Sequence, residues 1–208
     1  MKALRFLALL ALAAVVSTLL HELGHCVFYW IQGVPAGMSL TKEFPLRDIT
    51  AAQYAVGSIG GPLASLGLLV LATALFRKYS ASEKLRDVFS ALILANVYYV
   101  VLRSFIALLK GEGGELDSIA GLVGLDFRAV VVVLLIVTVI CIYVWIRAGG
   151  PRPSVRNSAS FFLLLIFYVF LVVCLESVDS ALFWRGFPTI EIDDGRTYNA
   201  PPQTTTGT

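Results

Sequence analysis

FLALLALAAVVSTLLHELGHCVFYWI, residues 6–31, is an apolar run with one strongly polar interruption near its end, His21-Glu22-Leu23-Gly24-His25. At about 1.5 Å per residue, 26 helical residues reach roughly 39 Å, enough to cross a hydrocarbon core of about 30 Å. Two histidines and a glutamate inside such a segment are costly and mark function. The pattern is H-E-x-x-H. On a helix, positions i and i+4 share a face, so His21 and His25 can hold one Zn²⁺ while Glu22 acts on a metal-bound water. The bland alternative is a chance match on a core helix. A soluble H-E-x-x-H helix, however, carries a polar back face, and here Leu20, Leu23, Cys26, Val27 and Phe28 surround the motif.

Composition points the same way. The 208 residues are 58% hydrophobic and only 14% charged, against about 25% charged in an ordinary soluble domain. The reading is an all-α polytopic, multi-pass integral membrane protein embedded in the lipid bilayer. A net charge of +2 gives no case for nucleic acid. Cys26, Cys141 and Cys174 all fall in apolar segments and read as packing residues rather than a disulfide framework. Residues 1–20 imitate a signal peptide, with Lys2 and Arg5 ahead of an apolar core and small residues near Ala13 and Ala14. The apolar run continues past them to Ile31, so an uncleaved first helix is expected.

About five transmembrane helices follow from hydropathy, over residues 6–31, 54–76, 88–109, 127–146 and 159–175. A short extended loop (33–53) follows the first. Residues 1–176 then form the membrane domain and 177–208 a tail, first interfacial through Phe183, Trp184 and Phe187, then small and polar. In the second span Gly57, Gly61 and Ser65 recur every four residues, as do Gly60 and Ala64, a spacing that lets helices approach closely. Asn96 in the third span reads as an interhelical donor, or alternatively as facing the metal. Arg103 is near enough to an end to snorkel. Residues 118–125 read as a short helix, and Asp126 as the cap of the next span.

Five spans put the end of helix one, the acidic loop around residues 112–117 and the tail on one side. Nine Lys/Arg (2, 5, 77, 78, 84, 86, 147, 152, 156) lie on the N-terminal side and six (42, 47, 110, 128, 185, 196) on the other, which favours the N-terminus inside. Catalytic zinc usually has three protein ligands and one open position. The chain has no third histidine, so the third ligand is a carboxylate or a cysteine. Cys26, one residue past His25, points about 100° away. Asp117 is the expected ligand, with Glu115, Glu112 and Asp126 as rivals.

The chain resembles the site-2 protease family of intramembrane zinc metalloproteases over about residues 6–146. HELGH sits in a transmembrane helix. Gly61-Pro62-Leu63-Ala64-Ser65 is similar to the family's G-P-x-A-N segment, with Ser65 in place of Asn. Leu116-Asp117 is similar to its L-D-G segment, with Ser118 in place of Gly, and Leu125-Asp126 is a poorer match. The resemblance implies a zinc metallopeptidase with one Zn²⁺ per chain, hydrolysing peptide bonds in or beside the transmembrane segments of membrane-protein substrates. His21, His25 and Asp117 would hold the metal, and Glu22 would be the catalytic base. The family keeps its site toward the cytosol, opposite to the charge count. The alternatives are a non-proteolytic zinc-binding membrane protein, such as a transporter or inactive relative, and a zinc hydrolase of a lipid or small amide. A transporter would carry more polar residues through its spans than the last two do. The tail reads as a short strand pair around Asp194-Gly195. Residues 188–199 are expected to lie by the edge of the 33–53 loop, over or beside the site entrance.

Overall fold

The helices start and stop where local chemistry requires. Thr50 and Gln53 form a reciprocal capping box at the start of one helix, and the Asp126 side chain accepts from Arg128 N at the start of another. Gly111 ends a third with φ of 69°, a left-handed turn that other residues adopt only with strain. In the computed structural model, which describes residues 2–151, 155–183, 190–193, 195 and 197–198, the order is α1 (Lys2–Ile31), β1 (Ala36–Met38), β2 (Glu43–Pro45), α2 (Ala51–Lys78), α3 (Glu83–Lys110), α4 (Glu115–Val123), α5 (Phe127–Arg147), α6 (Val155–Phe183), β3 (Ile190–Glu191) and β4 (Thr197–Tyr198).

The protein is an all-α polytopic fold. Five helices (α1, α2, α3, α5 and α6) are long and apolar enough to cross a membrane. Even α5, at 21 residues, reaches about 31 Å. Each span expected from hydropathy lies inside one of them. Helix α6 runs beyond 175 to Phe183 and so takes in Glu176 and Asp179. Helix α4 begins at Glu115, earlier than the run 118–125.

Helix α1 packs most closely on α2, and the reason is the glycine stripe. A Cβ on Gly24 would strike the Gly60 carbonyl, and one on Gly60 would strike Gly24, so the two backbones touch there. Asn96 Nδ2 donates to Ser17 Oγ at 3.1 Å, joining α3 to α1 as an interhelical bond. The main apolar cluster, including Leu10, Ala14, Leu69, Phe76, Ile93 and Trp145, fills the end of the bundle holding the N-terminal half of α1. The other end holds two smaller apolar clusters and, between them, the buried polar residues of the histidine motif.

That end is roofed by the α1–α2 connection. Strands β1 and β2 pair antiparallel, Gly37 opposite Phe44. The turn joining them is tied to α6. Ser39 Oγ (2.7 Å), Thr41 Oγ1 (2.7 Å) and Leu40 N (2.9 Å) all donate to the carboxylate of Asp179, which is 2% exposed. Among the described residues of α6, only Asp179 and Tyr168 are buried. The tail pairs with the same connection through a parallel bridge between Ile49 and Ile192, with Ile49 N donating to Glu191 O and Asp193 N to Ile49 O. Both isoleucines are buried with Cys26, Tyr29 and Val34. Residues 190–193 thus lie against the loop, as expected of the tail. Trp184, Phe187 and Asp194 lie outside the described residues.

Candidate metal centre

One turn of α1 presents His21 and His25, both buried, and α2 fixes their rings from behind. His25 Nδ1 lies 2.9 Å from the Gly57 carbonyl. Gly61 N also points at this Nδ1, at 3.3 Å; in the tautomer that donates from Nδ1 to the closer carbonyl, Nε2 keeps its lone pair for a metal. His21 Nδ1 lies 3.0 Å from Ser65 Oγ. Ser65 therefore orients the His21 ring. Gly61 is the floor between the rings. A Cβ there would meet His25 Nε2 and both Nε2 and Cε1 of His21. The stripe Gly57-Gly61-Ser65 is thus more than a packing surface, because it makes the cradle for the imidazoles.

The two Nε2 atoms are 3.2 Å apart. Glu115 Oε2, from the first turn of α4, lies 3.5 Å from His21 Nε2 and 3.9 Å from His25 Nε2. A tetrahedral zinc with bonds of about 2.0–2.1 Å needs ligand atoms about 3.3 Å apart. Two edges of the triangle His21–His25–Glu115, 3.2 and 3.5 Å, match that spacing, and the third, His25–Glu115 at 3.9 Å, is about 0.6 Å longer. Burial pushes the Glu115 carboxyl up, but its hydrogen bond with and attraction to His21, then Arg103 and His25, outweigh this and lower it to about 2. The carboxylate is the form in which Glu115 would serve as a ligand.

Asp117, the ligand expected from the sequence, is not brought to the pair. Its Oδ2 accepts from Gly113 N at 2.7 Å and Gly114 N at 3.0 Å, tying down the start of α4. Two positions on a helix turn a side chain through about 200°, so Glu115 and Asp117 cannot face the same site. Asp126 caps α5. Glu112 is exposed at the rim of the cavity that holds Glu115. Cys26 Sγ donates to Gly37 O and packs under the β1–β2 hairpin, away from the metal triangle.

Glu22 is 4% exposed, and its Oε2 has no hydrogen-bond partner among the described residues. Its carboxylate, that of Glu43 on β2 and a ring nitrogen of His25 lie within 4.8 Å of one another. This second set contains only one imidazole, shared with the first, so the two-histidine triangle is the stronger metal site. Glu22 is then left beside the metal position with an uncommitted oxygen.

Tyr99 carried no expectation from the sequence, and Arg103 only that of a snorkelling end residue. Tyr99 Oη lies 2.9 Å from His21 Nε2, and the Arg103 guanidinium sits 5.5 Å from the centre of the Tyr99 ring. Their signal was present. Asn96, Tyr99 and Arg103 are spaced three and four residues apart, a polar stripe along one face of an apolar helix. Glu43 gave no comparable signal, being one acid in a polar loop.

Two cavities reach this site. One, of about 340 Å³, is lined by Tyr54, Ser65, Tyr99, Arg103 and Glu115. The other, of about 140 Å³, is lined by Glu22, Thr41, Tyr99, Arg103 and Glu176. Comparisons with protein-family models, curated proteins and solved structures return no match.

Proposed function

We propose that the protein is an intramembrane zinc metallopeptidase that hydrolyses peptide bonds in or next to transmembrane segments of other membrane proteins. The observation that carries this reading is the His21–His25–Glu115 triangle, with Glu22 beside it, at the end of helices long enough to span a bilayer.

His21 and His25 would bind through Nε2 and Glu115 through Oε2. When bound, Zn²⁺ supplies an activated water and polarises the scissile carbonyl. Glu22 takes the proton of the attacking water and delivers it to the leaving amine. Its burial keeps bulk water from competing for that proton. A helical substrate has its carbonyls engaged, so it must unwind locally before attack. The β1–β2 hairpin offers extended main chain next to the motif, since Glu43 of β2 touches the Glu22 group and Gly37 of β1 touches Cys26. The 340 Å³ cavity admits a few residues of extended chain, not a folded domain.

The test is Glu22→Gln in the full chain, reconstituted with a single-span reporter peptide carrying a fluorophore and quencher on opposite sides. Zinc content is expected to match wild type while cleavage disappears. Retained turnover, or a wild-type chain that binds no zinc, overturns the reading. Zinc binding without cleavage in wild type would instead favour a non-proteolytic metal protein.

A further inference from the structure

Tyr99 has the position of a second catalytic group. Its hydroxyl approaches His21 Nε2 to 2.9 Å, the same nitrogen that lies 3.2 Å from His25 Nε2 and 3.5 Å from Glu115 Oε2. It also lines both cavities, the one holding Glu115 and the one holding Glu22. A carbonyl reaching the site through either cavity therefore meets a wall that includes Tyr99. The ring is tilted against His21 at a centroid distance of 4.9 Å and covered by Arg103. It is held from two sides, so the hydroxyl is aimed before substrate arrives.

Building on the metallopeptidase reading, we infer that Tyr99 is the oxyanion donor of this enzyme. As water adds to the scissile carbonyl, the C=O π pair moves onto oxygen, and Tyr99 Oη–H donates a hydrogen bond to that oxygen. When the C–N bond breaks, the pair returns to reform the carbonyl and the amine leaves with the proton carried by Glu22. Tyr99 keeps its own proton throughout. A preorganised donor in a water-poor site strengthens its bond as charge develops, and removing one such donor typically costs about 10²–10³-fold in kcat.

The experiment uses the full chain in detergent, loaded with Co²⁺, and compares wild type with Tyr99→Phe. The resting visible spectrum reports coordination. Acetohydroxamate, which presents an oxyanion to the metal, is the titrant. Tyr99→Phe is expected to keep the wild-type spectrum and metal content but to bind acetohydroxamate about 10- to 100-fold more weakly, the range for a hydrogen bond to a charged group. With the reporter peptide, kcat should fall at unchanged KM. Unchanged acetohydroxamate affinity overturns the inference. So does an altered resting spectrum or lost metal, which would make Tyr99 a ligand or a packing residue. These results are separable from failure of the parent reading, which shows in wild type and in Glu22→Gln before Tyr99 is touched.

Discussion

Replacing Gly61 by alanine adds one methyl group at the point where α2 meets the two ligand rings. The new Cβ would stand 2.6 Å from His21 Nε2 and Cε1 and closer still to His25 Nε2. Non-bonded contacts settle at about 3.5 Å, so the His21 edge must retreat by roughly 0.9 Å. Metal–ligand distances tolerate only about 0.2 Å. Neither ring can yield freely, because Ser65 holds one and the Gly57 carbonyl holds the other. Overpacking of this kind costs about 1–3 kcal/mol, which converts to a zinc affinity weaker by roughly 5- to 150-fold. Gly67 provides the control on the same helix. Nothing lies within 4 Å of its added Cβ, and alanine is favoured over glycine in a helix by about 0.8–1 kcal/mol. Zinc affinity by competition with a chromogenic chelator, and thermal stability in detergent, should therefore separate the two variants. Gly61→Ala loses metal, whereas Gly67→Ala keeps it at equal or higher stability. A wild-type zinc dissociation constant in Gly61→Ala would refute the cradle.

Three further outcomes follow from the same geometry. Glu115→Ala should lose zinc, while Asp117→Ala should keep it and cost about 1 kcal/mol through the lost helix cap; metal content and thermal unfolding check the pair. Ser65→Ala should weaken zinc about 10- to 100-fold by freeing the His21 ring, read by the same chelator competition. Asp179→Ala strands two hydroxyls and one N–H that bond to a carboxylate, each bond being worth about 1.5–3 kcal/mol. It should lower thermal stability and speed tryptic cleavage after Lys42 in the hairpin turn.

The fold was legible because its signals are one-dimensional. Apolar runs of membrane length and a helix-period histidine pair need no tertiary information, and the small-residue stripe at 57, 60, 61 and 64 marked a close helix contact, though only the structure shows that its partner is α1. Which acid approaches the histidine pair was not legible, since Glu115 and Asp117 are both acids in the same turn. Only the start and phase of α4 decide which one faces α1. The family-like Leu-Asp pair drew attention to Asp117, whose carboxylate is used by Gly113 and Gly114. Arg103 looked like a snorkelling end residue, yet its neighbour is Tyr99 rather than the membrane surface alone. Asp179 escaped because hydropathy ended the last span at 175, and its three partners lie some 140 residues earlier.

That distance has a consequence for the order of assembly. The proposed ligand set is complete once Glu115 is made, but the clasp on the hairpin waits for Asp179 and the bridge to Ile49 for Ile192. At about 5–20 residues per second, the 64 residues between positions 115 and 179 take roughly 3–13 s to synthesise. During that interval the nascent chain holds all three proposed ligands under a roof that is not yet fastened. Metal capture is then expected to be fastest on the growing chain and slower once α6 has docked. Pulse-loading during cell-free synthesis, compared with loading of the finished protein, measures that difference; equal uptake rates would show that the roof is no barrier.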